Sequence, residues 1–150
     1  MTRQKAAMRV EWDFDDFLVR AVRGYVRRVA EELRLSGDSS YVQVERPISA
    51  YVALDGRLPG FGDRDVALLW DEVTGWSLAV ETRGGEDLVA RFGADAVPEP
   101  SAIARWVRRV FDGDRSAEVR FSPNGDPSAD LKARLAPYAD HALMPLPWSA

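Results

Sequence analysis

Cysteine is absent from this 150-residue chain, and histidine (His141 alone), lysine (Lys5 and Lys132), isoleucine (Ile48 and Ile103) and asparagine (Asn124) are scarce. Without cysteine there is no disulfide, no thiolate chemistry and no zinc held by sulfur. His141 sits in a proline-flanked tail with no catalytic or ligating neighbour in the sequence, which argues against a His-based triad or a multi-histidine metal site. A Walker loop, a dinucleotide fingerprint, a nucleophile elbow and an HExxH helix are also missing, and Gly56, Gly60 and Gly62 lack the spacing of a phosphate loop. No stretch approaches the length of a spanning helix, and no apolar run follows the positively charged start Met1–Arg9. The expectation is a cytoplasmic protein with no membrane association, no metal and no cofactor. Since all but two of the 20 basic residues are arginine, their abundance reads as the coding bias of a GC-rich genome before it reads as function. A net charge of −4 argues against wholesale coating of nucleic acid, which depends on neutralising phosphates.

What is present is core material. Apolar residues make up 46% of the chain, with five Trp and six Phe, and a domain of this size buries roughly 70% of its unfolded surface. Asp13 is an N-cap candidate, with Trp12 and Phe17 at staple spacing. Phe14, Phe17, Leu18, Ala21, Val22, Tyr25, Val29 and Leu33 then form the stripe of an amphipathic helix, with Gly37 as its expected stop. The segment to Pro47 reads as loop with a possible short edge strand at Tyr41–Val44, because proline interrupts a central strand.

Alternation from Ile48 to Leu54 predicts a strand, followed by a Gly- and Pro-rich loop. Further strands are expected at Val66–Trp70, Trp76–Thr82 and about Glu86–Phe92, on connections too short for anything but antiparallel neighbours. A turn over Asp71–Gly75 sets Trp70 opposite Trp76, Leu68 opposite Leu78 and Val66 opposite Val80. For the next turn a three-residue loop, Arg83-Gly84-Gly85, is preferred, pairing Trp76 with Phe92, Leu78 with Ala90 and Val80 with Leu88; Trp76 and Phe92 on opposite faces would refute it. Pro98-Glu99-Pro100-Ser101 opens a second striped helix that ends at Gly113. Beyond it, Ala117–Phe121 reads as a strand, Pro123–Asp126 as a turn and Ser128–Leu135 as a short helix. The fold expected is α+β: a four-stranded antiparallel meander flanked by two helices over 13–113, with an N-terminal tail at 1–12 and a C-terminal extension at 114–150 packing on the domain.

The run Ala50–Pro59, Ala67–Glu72, Gly75-Trp76, Ala79–Glu81 and Glu86–Leu88, with Pro98 and Pro100 ahead of the second helix, resembles an uncharacterised actinobacterial family known only as a domain of unknown function. The resemblance spans about Phe14 to Gly113 and implies no activity, substrate or catalytic residue. In element order alone the chain is also similar to type III secretion chaperones.

Three constellations could carry function. Glu81 and Asp87, directly opposed in the preferred register, could form an acid/base pair, or be solvated charges at a hairpin end tied by Arg83. Arg20, Arg23, Arg27 and Arg34 share the outer face of the first helix and could bind an anion or nucleic acid, or be an ordinary solvated face paired with Glu31. The loop Asp55–Asp65, with Arg57 and Phe61, could receive a partner, unless Leu58 and Phe61 plug the core; it lacks calcium-loop spacing. A fourth feature is the reverse of the sheet, where Tyr51, Ala53, Ala67, Leu69, Ala79 and Val89 are too apolar for a wet face. Either the tail, with Leu143, Met144, Leu146 and Trp148, or a second protomer is expected to cover it. The function expected is a non-enzymatic interaction or regulatory module that self-associates, with Tyr51, Leu69, Val89, Arg57 and Phe61 as partner-binding residues; the alternatives are an anion- or nucleic-acid-binding protein and a small carboxylate enzyme.

Overall fold

Apolar residues three and four apart draw the first helix. The computed structural model describes residues 2–35, 39–93, 96–114 and 127–139, with side chains from Phe17 in the first helix and from Leu131 in the last. In α1 (Thr2–Glu32), Leu18, Ala21, Val22, Tyr25, Val26 and Val29 are all buried at that spacing. The helix begins at Thr2 and not near Asp13, because Gln4–Arg9 consists of good helix formers that give it no reason to stop. The Trp12 side chain, half of the expected staple, lies outside the described side chains.

The end of α1 also differs from expectation. The Leu35 N–H donates to the Ala30 carbonyl (2.9 Å) and the Arg34 N–H to the Glu31 carbonyl (2.9 Å), which is a Schellman motif. Arg34 takes the left-handed position with φ 59°, and Leu35 is buried behind it. The stop therefore falls on an arginine; Gly37 lies outside the described residues.

The sheet is five-stranded, in the order β1-β2-β3-β4-β5, all antiparallel. This corrects the expected four strands: β1 (Ser40–Gln43) pairs with β2 (Ser49–Leu54) from Ser40↔Val52 to Gln43↔Ser49. Pro47 does no harm because it lies in the connection, where its missing N–H interrupts no ladder. Glu72 pins that connection. Its carboxylate accepts two hydrogen bonds from Arg46 (2.9 and 3.1 Å) and one from the Ile48 N–H (2.9 Å).

Between β3 (Val66–Asp71) and β4 (Gly75–Thr82) the register is as expected, with Trp70↔Trp76, Leu68↔Leu78 and Val66↔Val80. Asp71 shapes the turn by accepting from the N–H groups of Val73 (2.8 Å) and Thr74 (2.7 Å). β5 (Gly85–Arg91) follows the expected register only at its far end, Leu78↔Ala90. Phe92 lies opposite Trp76, its N–H donating to the Trp76 carbonyl (3.0 Å). Near the turn the loop is the two-residue Arg83-Gly84, flanked by Thr82↔Gly85, so that Val80 faces Asp87 and Glu81 faces Glu86. A bulge between Leu78 and Ala79, with Val89 the extra residue of β5, joins the two registers. Gly85, the first residue of β5, carries φ 145°.

α2 (Pro100–Phe111) buries Ile103, Ala104, Trp106 and Val107 and ends in a second Schellman motif, this time around Gly113 at φ 84°. Arg108 donates to the last-turn Glu32 carbonyl of α1 (3.0 Å), tying the helices together. α3 (Pro127–Leu135) runs into the 3-10 turn Ala136–Tyr138, which packs on α1 with Leu131, Leu135 and Ala139 buried. Positions 117–121, 123–126 and the tail from 140 lie outside the described residues.

One face of the sheet and the helices enclose an aromatic centre. Tyr25, Trp70 and Trp76 are buried with ring centroids 5.8 to 6.5 Å apart, and Tyr138 meets Tyr25 at 4.9 Å. The polar groups of Tyr25, Trp70 and Trp76 all find partners. Trp76 Nε1 donates to the Tyr25 hydroxyl (3.0 Å), that hydroxyl donates to the Pro98 carbonyl (2.5 Å), and Trp70 Nε1 donates to the Ala96 carbonyl (2.7 Å). Trp106 closes the β5 side against Phe92, at 5.4 Å.

Candidate functional site

The loop from Asp55 to Asp65 leaves the end of β2 and folds back on itself. The Phe61 N–H donates to the Leu58 carbonyl (3.0 Å) and the Arg64 N–H to the Phe61 carbonyl (3.1 Å), while an Arg57–Asp65 ion pair closes the loop. Leu58 is buried and Phe61 half-buried, so one anchors the loop and the other remains at its rim. Arg64 reaches the Asp87 carboxylate of β5 at 3.6 Å. Gly56 brings the loop close to α2: a Cβ there would stand 3.3 Å from the Phe111 ring.

Loop, β5 and the end of α2 together enclose an open groove of about 280 Å³, whose walls include Leu58, Phe61, Leu88, Val89, Val110 and Gly113. Leu88 is 50% exposed at the groove's edge. The groove runs beside an edge, since β5 pairs only with β4 among the described strands. Walls that mix apolar side chains with the polar groups around Asp114, and an unpaired strand beside them, suit an extended peptide segment, which brings backbone and side chains together.

Of the residues expected to bind a partner, Val89 and Phe61 meet in this groove and Arg57 lies on the same loop. Tyr51 and Leu69 stand on the outer face of the sheet, one row apart from the Ala53–Ala67–Ala79 row. There Tyr51 stacks on the exposed Tyr41 at 5.2 Å and donates its hydroxyl hydrogen bond to Glu81. Burial first, and then that bond, push the Tyr51 phenol well above its ordinary value. Ala67 and Ala79 are fully buried at the centre of this face, while Tyr51, Ala53 and Leu69 around them are half-buried.

The carboxylates expected to pair are separated. Glu81 faces Glu86 on the outer face, while Asp87 faces Val80 on the inner one, because the bulge shifts the register near the turn. Of the arginines expected on one face of α1, Arg20, Arg23 and Arg27 keep the three- and four-residue spacing of that face, and Arg34 alone leaves it. Arg20 lies over the Phe17 ring (5.8 Å), Lys132 of α3 approaches the same ring (5.7 Å), Arg23 is exposed, Arg27 is half-buried, and Arg34 lies beyond the helix end. Glu31 meets Arg28 at 3.5 Å. Leu88, Val110, Gly113 and Asp114 are the groove residues that sequence reasoning missed. The available signal was the Gly85–Arg91 pattern itself, acidic at one end, apolar in the middle and basic at the other.

Among the described residues no group of three or more His, Asp or Glu side chains is placed to hold a metal ion, and no helix is long and apolar enough to cross a membrane. No curated protein and no solved structure matches the chain, so the likeness to type III secretion chaperones rests on element order alone. A family model does match, over residues 25–109, from the buried Tyr25 through the whole sheet and most of α2. The chain belongs to the family of unknown function DUF6292.

Proposed function

We propose that the chain is a non-enzymatic protein-interaction module that receives an extended segment of a protein partner along β5. The observation that carries this reading is the groove of about 280 Å³ against an unpaired strand edge with a half-exposed Leu88. An added strand would satisfy the outward backbone groups of β5, while its side chains enter between Phe61, Val89 and Val110. Glu81 and Asp87 stand on opposite faces, which favours the interaction reading over an acid/base role for that pair.

The test is selection of extended peptides from a displayed library on the full chain. Selected peptides should perturb the amide resonances of residues 86–91, 58–61 and 110–113. Val110→Lys, which places a charge in the groove wall, should weaken them at least about tenfold. Peptides that bind this variant equally well, or that perturb only other surfaces, would refute the reading.

A further inference from the structure

The chemistry of β5 identifies the kind of segment that it accepts. Glu86 pairs with Glu81 and Arg91 with Ser77, four residues apart along β4, so Glu86 and Arg91 lie on the same face. In a regular strand two residues five apart point to opposite faces; the bulge at Val89 reverses this. The exposed outer face of β5 thus reads acid, apolar, base from one end to the other, with Leu88 in the middle.

Such a strand is complementary to itself run backwards. If two copies of β5 lie antiparallel about a twofold axis between Leu88 and Val89, Glu86 of one falls opposite Arg91 of the other, twice by symmetry. Asp87 then falls opposite Ala90 on the inner face, and Leu88 meets Val89 at the centre. The Glu86/Arg91 pairs share the outer face and the Asp87/Ala90 pairs the inner one, which an antiparallel pair demands and which an unbulged strand would not provide in this register.

The isolated chain shows what this pairing would relieve. Glu81 and Glu86 stand directly opposite one another, a like-charge pair that destabilises a sheet. Neither Glu86 nor Arg91 enters an ion pair among the described residues, and both are exposed. Arg91 of a second copy would stand beside this acidic pair.

We infer that the segment received along β5 is the β5 strand of a second copy of this chain, forming a twofold dimer with a sheet continuous across both protomers. The inference rests on the interaction-module reading above and names its partner. A twofold interface must be self-complementary, and the Glu86/Arg91 pattern has that property.

The test uses the full chain and light scattering across a concentration series, with circular dichroism to show that each variant is folded. The wild type should dimerise, less tightly at high salt. Glu86→Arg and Arg91→Glu should each weaken self-association at least about tenfold by facing like charges across the axis. Mixing these two variants should give a heterodimer, and Glu86→Arg combined with Arg91→Glu in one chain should restore the homodimer. A wild type that stays monomeric, single variants that dimerise as well as it does, or a mixture that remains monomeric would overturn the inference. If the chain is monomeric but the selected peptides still bind the groove, self-pairing alone fails. If it neither dimerises nor binds peptides there, the interaction-module reading fails as well.

Discussion

On one face the strands carry Val66, Leu68, Trp70, Trp76, Leu78 and Val80, under α1 and α2; on the other the same strands carry Ala53, Ala67, Leu69, Ser77 and Ala79. The inner residues are all buried, whereas the outer face is buried at Ala67, Ser77 and Ala79 and only half-buried at Tyr51, Ala53 and Leu69. The inner face is closed by whole helices and by aromatic rings whose N–H and O–H groups all find carbonyl or hydroxyl partners. The outer face has small side chains in its central row, with Tyr51 reaching across toward Glu81. Large rings that need exact partners fix the fold, whereas a row of alanines under one tyrosine asks for little and constrains little.

The inner face should be the harder to disturb without unfolding the chain. Trp76→Ala removes its largest shared contact and should lower unfolding free energy by about 3–5 kcal/mol, read from the urea midpoint at constant slope. Tyr25→Phe is the finer test, since it keeps the ring and deletes the hydroxyl. Trp76 Nε1 and the Pro98 carbonyl then lose their buried partner, and a loss of about 1–3 kcal/mol is expected. An unchanged midpoint would show that packing alone holds this face.

A third variant acts on the cover of the inner face with the opposite sign. Arg34 holds the left-handed position that lets Leu35 fold back under α1, and a side chain there is strained. Arg34→Gly should stabilise the chain by about 1 kcal/mol in the same urea experiment. A destabilised variant would mean that the arginine contributes more by its own contacts than its backbone loses.

The two Schellman motifs show what a sequence displays and what it hides. Gly113 announces the end of α2 because glycine is the usual residue for positive φ; Arg34 performs the same task and leaves no mark. The β3–β4 register was legible because Trp70, Leu68 and Val66 mirror Trp76, Leu78 and Val80 about a short turn. The β1 strand was legible only as a possible short edge strand at Tyr41–Val44, since Ser40–Gln43 is short and its pairing depends on a neighbour and on the Glu72 clamp. Phe61 and Val89 could be singled out as apolar residues in exposed-looking segments. That Leu88 joins them depends on a bulge, and no residue type in Leu88-Val89-Ala90 requires one. The groove also draws on Val110 and Gly113, which only the folded chain brings to the loop.

The smallest effect expected separates the two faces by pH. With lysine confined to Lys5 and Lys132, alkaline titration of this chain is chiefly titration of tyrosine. Tyr51 on the outer face and Tyr138 on the helical side both have raised values, burial being the largest cause in each, followed by Glu81 for the first and Glu99 for the second. A phenol that holds its proton more tightly in the folded state contributes stability that is complete below the unfolded value of about 10. That contribution falls as pH rises above it, because the unfolded chain ionises first. Stability should therefore decline above about pH 10, and Tyr51→Phe and Tyr138→Phe should each remove part of the decline. At neutral pH, Tyr51→Phe should lower stability by only about 0.5–1 kcal/mol, since water can replace the phenol at the half-exposed Glu81 carboxylate. Urea midpoints taken through the alkaline range, together with tyrosinate absorbance, give both slopes. If Tyr51→Phe leaves the slope untouched while Tyr138→Phe flattens it, the pH response belongs to the helical side, and the bond across the alanine row does not hold the outer face closed.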